Sequence, residues 1–447
     1  MRSKQSYCLI IAILAFLYSC DKQAFTPIEQ HPITPECEKL HVISVDDALT
    51  ALYAFLGVQS EEQTKSLSAN KNVSVIKFQD IPSSSRSSIR IANSDKLVYL
   101  VNFGEEEGYA ILAADDRIED DVIAIVNEGS ITVDEMLDSY NDNFSTEYTT
   151  LTEEEHLSRM LHRMCLDYAT KQVSRVDSLN MGGDVIEKVE AHCQIVIRDS
   201  ISPLLTAEEE WSQGSPFNNF CPTLSNGEKA DAGCVPLAVS KIFAYFECPA
   251  YVNYNNVTVN WNELKTNYNS TIGSLSAAAL LRFTGIGCNS LYFSGGTFTL
   301  PSNAKSFMED CFFDNVSLDD YSTNSVISML DDGCPLFICS LPHYGFLNYD
   351  FANSHAWNID GYKTTQRITT YYVFINGVFD HIETVYGTVN TKVHCDFGWK
   401  RKHNGYYTSG IFQLNGYGIE YDDPTLDRPY NDNFNSYLKI ITYNSPL

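Results

Sequence analysis

An α+β architecture is predicted for this chain, and three observations predict it. Two β-rich apolar runs, 97–103 and 108–114, flank the acidic turn Glu105-Glu106-Glu107, a hairpin signature. Val235, Ala238, Val239, Ile242 and Phe246 recur at i, i+3, i+4, i+7 and i+11, one face of an amphipathic helix. A length of 447 residues leaves room for two or three domains, at about 100–200 residues each.

The elements follow in order. Arg2 and Lys4 precede an apolar run over 8–18, too short to cross a bilayer, which needs about 20 residues, but suited to a signal-peptide core. It ends in Leu17-Tyr18-Ser19-Cys20, similar to the bacterial lipobox, in which the Cys is lipidated; an ordinary signal with a chance Cys is the alternative. Residues 1–19 are therefore expected to be a lipoprotein signal, with Cys20 the lipidation site and 20–40 a polar tether. The rest would be an exported body held to a membrane by its lipid. Over 44–57, Ser44 is a candidate cap and Ala48, Leu49, Leu52, Phe55 and Leu56 keep helical spacing. The stretch 58–96 is rich in Ser, Asn and Lys and reads as loop. The hairpin follows, then a short strand over Val122–Val126. Residues 133–180 are polar and mostly helical, and Gly182 and Gly183 break the pattern. The main boundary is expected near residue 200, with 41–200 one domain plus linker and 201–447 the other.

Charge excludes one class. The formal net charge of -27 repels phosphate backbones, so nucleic-acid binding is not expected. Hydrophobic content of 44% supports a globular rather than disordered chain. Removing Cys8 and Cys20 from the 13 cysteines leaves an odd eleven with no metal-ligand spacing. At least one thiol should therefore stay free unless it pairs with another chain, and no metal or organic cofactor is implied.

Four segments carry chemistry. Cys234 follows Gly233 at the start of the helix that contains Pro236, a residue tolerated only in a first turn. A helix start favours a thiolate; a buried structural Cys is the alternative. In Ser354–Tyr362, His355, Trp357 and Ile359 share one strand face, so His355 is either a base or a satisfied core histidine. In His394–Trp399, followed by Asn404-Gly405-Tyr406-Tyr407, Asp396 is a candidate to orient an imidazole, with Phe397 and Trp399 as its cover. In Glu210–Gly214, Gln213 is a candidate oxyanion donor or simply a surface Gln.

In this order the four segments resemble the streptopain family of papain-like cysteine peptidases. That family carries a Trp-x-Gln-Gly segment, a Gly-Cys-Val helix start, a His-Ala-(Trp/Phe)-x-Ile-Asp-Gly strand, and Asn-Trp-Gly-Trp before an Asn-Gly-Tyr turn. The run Val98–Asp116 is similar to the family's inhibitory prodomain. The resemblance implies a two-lobed peptidase over 201–447, with a helical lobe carrying the Cys and an antiparallel β lobe carrying the His. It also implies an α+β propeptide that acts as an intramolecular inhibitor, and polypeptide substrates. Its implied roles are Cys234 as nucleophile, His355 as base, Gln213 and the Cys234 N–H at the oxyanion, and Asp396 as holder of the His355 ring. Asp396 stands where the family has Asn and Phe397 where it often has Trp, so Asp396→Asn is expected to be mild. Two other classes fit the same residues: a catalytically silent binding lipoprotein and a Cys–His acyltransferase.

Overall fold

The computed structural model describes residues 41–57, 72–81, 96–139, 152–176, 186–294, 296–340, 354–375, 378–412 and 438–446. The expected signal, tether and Cys20 lie outside the described residues. The N-terminal part runs α1 (Val45–Leu56), β1 (Asn72–Ile76), β2 (Val98–Asn102), β3 (Tyr109–Ala113), β4 (Val122–Val126), α2 (Val133–Asp138), α3 (Glu153–Val176) and β5 (Ile186–Ile201). The helical lobe follows with α4 (Cys234–Phe246), the hairpin β6 (Asn253–Tyr254) and β7 (Val257–Thr258), α5 (Trp261–Thr266) and α6 (Thr271–Gly287). It continues with the hairpin β8 (Leu291–Phe293) and β9 (Gly296–Phe298), α7 (Pro301–Asp310), β10 (Asp314–Asp320) and α8 (Thr323–Asp331). The closing strands are β11 (Leu336–Ser340), β12 (His355–Ile375), β13 (Val378–Asp396), β14 (Gly405–Thr408) and β15 (Leu438–Asn444).

The N-terminal β strands are covered on both faces, which is why they read as continuous apolar runs rather than alternating ones. On one face Ala48, Leu52 and Phe55 of α1 pack on Tyr99, Val101, Ala110 and Leu112. On the other, Met136 of α2 and Leu157, Met160, Leu161 and Met164 of α3 join the core that holds Leu100, Ile111 and Ile123. Ser44 caps α1 as expected, accepting from the Asp47 N–H at 3.1 Å. β1 was not anticipated: Asn72–Ile76 is a short edge strand inside the Ser/Lys-rich stretch, pairing only with β2.

A single antiparallel sheet joins the two parts, in the order β1-β2-β3-β4-β14-β13-β12-β11-β15-β10, with β5 paired to β12. Val126 lies opposite Gly405 and Ile125 opposite Tyr406, so the N-terminal meander runs directly into the C-terminal sheet. Buried Asp120 accepts from Lys392 Nζ at 2.7 Å, Tyr168 Oη at 2.5 Å and Thr408 Oγ1 at 2.7 Å across this seam. The expected linker also differs. Residues 186–201 form a long strand hydrogen-bonded along β12, from Ile186 opposite Ile375 to Ile201 opposite Tyr362. β12 and β13 extend together as a long arm, and β5 is its third strand.

Candidate active site

The site begins at the N-terminus of α4. Gly233 is the N-cap, with φ 96°. A Cβ there would meet Thr297 Cγ2 at 2.8 Å, so position 233 combines a left-handed turn with a close approach that glycine alone meets without strain. The helix then opens at Cys234, which is half-buried, and Pro236 sits in the first turn. The macrodipole therefore points its positive end at the sulfur's position, as expected from sequence.

Backbone hydrogen bonds bring the other segments to this point. The Ala232 N–H donates to the Gln213 carbonyl at 2.9 Å, laying the Gln213 segment beside the turn into α4. Ser212 bridges Trp399, and the Lys400 N–H reaches the Trp211 carbonyl at 3.4 Å, so the Gln213 segment lies against the turn after β13. Gln213 is buried, not a surface residue. Gly398, with φ 77°, presses on α4: a Cβ there would lie 2.6 Å from Leu237 Cδ2.

His355 opens β12, opposite Ser340 of β11. Burial raises the thiol of Cys339, which lies opposite Ala356 next to His355, and Cys234 raises it further. The His355 ring lies nearly parallel to Trp357 (6.1 Å, 12°), Trp399 (6.1 Å, 24°) and Phe397 (6.4 Å, 23°). Its Nε2–H donates to the Phe397 carbonyl at 3.1 Å; because a carbonyl only accepts, Nδ1 is left as the basic nitrogen. Burial lowers the His355 pKa to about 4, partly offset by that hydrogen bond, so the ring is neutral at pH 7.

Asp396 requires a correction. It was expected to hold the His355 ring, but the holder is the Phe397 carbonyl. The reason is strand parity. Asp396 lies opposite Asn358, whose side chain turns to α4, whereas His355 is three residues from Asn358 and faces the other way. Asp396 Oδ2 instead pairs with Lys241 Nζ at 2.6 Å, with both side chains almost fully buried. Its Oδ1 accepts from the Gly398 N–H and from Asn404 Nδ2, each at 3.1 Å. Lys241, Asn404 and buried Glu208 are the members of this site that motif reading did not assign. The available signal for Lys241 was a lone cation in an otherwise apolar helix.

A thiol at a helix start, a strand-borne imidazole and a buried Gln beside the helix turn are the residue types of the cysteine-peptidase class. Residues 211–407 match the Peptidase C10 family, the streptopain family. The thiol protease/hemagglutinin PrtT of Porphyromonas gingivalis is 26% identical over 215 residues, which is 44% of this chain and 22% of that protein. The chain thus spans about a fifth of the length of the curated relative it matches. Among solved structures, the prointerpain A fragment of Prevotella intermedia aligns at 14% identity and TM-score 0.47, over 83% of this chain and 98% of that one. Active interpain A of the same organism aligns at 19% identity and TM-score 0.36, over 54% and 94%.

Proposed function

We propose that this protein is an exported, membrane-anchored cysteine endopeptidase made as a zymogen. The observation that carries the reading is the start of α4, where Cys234, the Gln213 segment and the β11–β12 edge bearing His355 converge within a Peptidase C10 segment. Cys234 sulfur attacks the peptide carbonyl while His355 Nδ1 takes the thiol proton. The carbonyl oxygen gains the negative charge and is met by the Cys234 N–H and the Gln213 side-chain amide, a contribution of about 3–4 kcal/mol per donor in comparable sites. His355 then protonates the leaving amine as the C–N bond breaks, and water hydrolyses the thioester to release the acid and restore the thiol. Gln213, Cys234 and His355 touch the reacting atoms in this scheme; Trp399, Phe397 and Gly233 shape the site.

On this reading the N-terminal domain, paired to the C-terminal sheet through β4 and β14, is the inhibitor. His355 is buried and neutral at pH 7, which disfavours the thiolate–imidazolium pair. The exchange of Asn for Asp at 396, which made a silent binding protein thinkable, is accounted for by Lys241 and leaves Cys234, His355 and Gln213 in place.

The test uses purified residues 21–447, wild type beside Cys234→Ala, incubated with reductant while chain size and casein hydrolysis are followed. The reading expects the wild type to shorten to its C-terminal part and gain activity while the variant does neither. Silence of the wild type after addition of a trypsin-like activator, or equal proteolysis by both chains, sinks it. Export and lipid anchoring are tested separately, by phase partitioning of the cell-expressed chain with and without Cys20→Ala.

A further inference from the structure

The neutral ring of His355 depends on one peptide group. The Phe397 carbonyl accepts from His355 Nε2, and the N–H at the other end of that same planar peptide, on Gly398, donates to Asp396 Oδ1. The peptide is held a third time from the preceding residue's side: the Phe397 N–H donates to Asn404 Oδ1 at 2.9 Å, and Asn404 Nδ2 donates to Asp396 Oδ1. Asp396 is therefore the hub of a buried clamp around residues 397–398. Among the described residues the cation on that hub is Lys241, 2.6 Å from Oδ2, on the helix that Cys234 begins and two turns further along it.

We propose that Lys241 is a positioning residue for the peptidase reaction: its ammonium fixes Asp396, and through it the peptide 397–398 sets the tautomer and tilt of His355. This rests on the peptidase reading above and deepens it. The pair also ties α4 to β13, so one ion pair fixes both the helix that presents the thiol and the turn that presents the base. A buried carboxylate needs such a partner, and a buried ammonium needs such a carboxylate. The Asp that stands where the family has Asn is thus paired with Lys241, and the mild effect expected for Asp396→Asn is revised: alone it leaves Lys241 charged without its carboxylate inside the protein.

The test compares Lys241→Met, Lys241→Gln, Asp396→Asn and the double variant Lys241→Gln/Asp396→Asn in the full chain after maturation. Each single variant should lose about 10- to 100-fold in kcat with little change in KM, the scale seen when groups that orient a functional histidine are removed. The double variant, whose amides hydrogen-bond without charge, should recover to within about threefold of wild type. A second readout needs no activity: in chains labelled with 15N-histidine on the Cys234→Ala background, His355 should show a fixed Nε2–H tautomer in wild type and the double variant, and an averaged one in the singles. Folded single variants with an unchanged tautomer and unchanged kcat overturn the proposal. So does a double variant no better than the singles, and that comparison decides if Lys241→Met fails to fold. A wild type that hydrolyses no peptide overturns the peptidase reading instead, while the tautomer still decides whether Lys241 holds the ring.

Discussion

Glu208 offers a perturbation whose magnitude follows from its surroundings. Its side chain is almost fully buried, and its Oε1 has no hydrogen-bond partner among the described residues. Burial raises its pKa from 4.5 to about 7, opposed by Lys241 and Lys265 and reinforced by the Asp396 charge. The folded state therefore holds a proton that the unfolded state has released across that interval. Stability is fully present below about pH 4.5 and is lost as pH rises toward about 7, by roughly 3 kcal/mol for 2.5 units at 1.36 kcal/mol each. Wild type alone would hide the effect. His355 and His162, lowered by burial to about 4 and about 3, act with the opposite sign: they stabilise above their unfolded pKa and lose that stability as pH falls. The difference between wild type and Glu208→Gln isolates the one group. Gln brings its own desolvation cost, about 1–3 kcal/mol, but that cost does not vary with pH. Urea unfolding of both chains, on the Cys234→Ala background to prevent self-digestion, should be followed from pH 4.5 to 8.5. The gap between them should move in favour of Gln by about 3 kcal/mol between pH 4.5 and 7.5 and then level off. Parallel stability curves would refute the assignment of a buried proton to Glu208.

Three further outcomes are expected. Asp120→Ala removes the partner of buried Lys392 across the seam and should cost about 3–5 kcal/mol in urea unfolding, with measurable peptidase activity in the uncut chain; unaltered latency would contradict the seam's role. Gly405→Ala places a methyl group 2.0 Å from the Ile125 carbonyl, so β4 must part from β14, and the time course of maturation should shorten. Trypsin applied to the native Cys234→Ala chain should spare the bonds after Lys188, opposite Val373, and Arg198, at a bulge between the paired Ile197 and Asp199, because both lie in β5 along β12; early cleavage there by mass spectrometry would place β5 off the arm.

The sequence made local features legible and left long-range ones dark. α4 and its start at Cys234 were readable because apolar periodicity, a preceding Gly and Pro236 all act within a few residues. β2, β3 and β4 were readable because burial on both faces demands continuous apolar runs. β5 read as linker because Glu187, Lys188, Glu190, Arg198 and Asp199 interrupt its apolar residues, and its pairing with β12 joins positions far apart in the chain. The resemblance to the peptidase family implied that Cys234, His355 and Gln213 share one neighbourhood, and the Gln213 segment lies beside Ala232 and Trp399. What it could not supply was the partner of Asp396. A family motif states that a polar residue ends the β13 strand, but its orientation depends on register with Asn358 and on Lys241, 155 positions upstream in the chain.

On the proposed reading, the N-terminal domain acts on the same turn that holds the base. The Asn127 N–H donates to the Asn404 carbonyl at 2.9 Å, and Asn404 is a member of the clamp around Phe397. Arg401 pairs with Glu128 at 3.1 Å, and Lys402 with Glu154 at 2.9 Å. His403 and Lys402 beside it hold the Glu154 carboxyl down to about 2, so the partner of Lys402 is ionised above that pH. Removing the domain therefore takes away contacts from residues 401–404 while Lys241 and Asp396 remain. The clamp belongs to the peptidase and the grip to the precursor. That division lets one turn be shared between a form that keeps His355 buried and neutral and a form free to admit substrate and charge the ring.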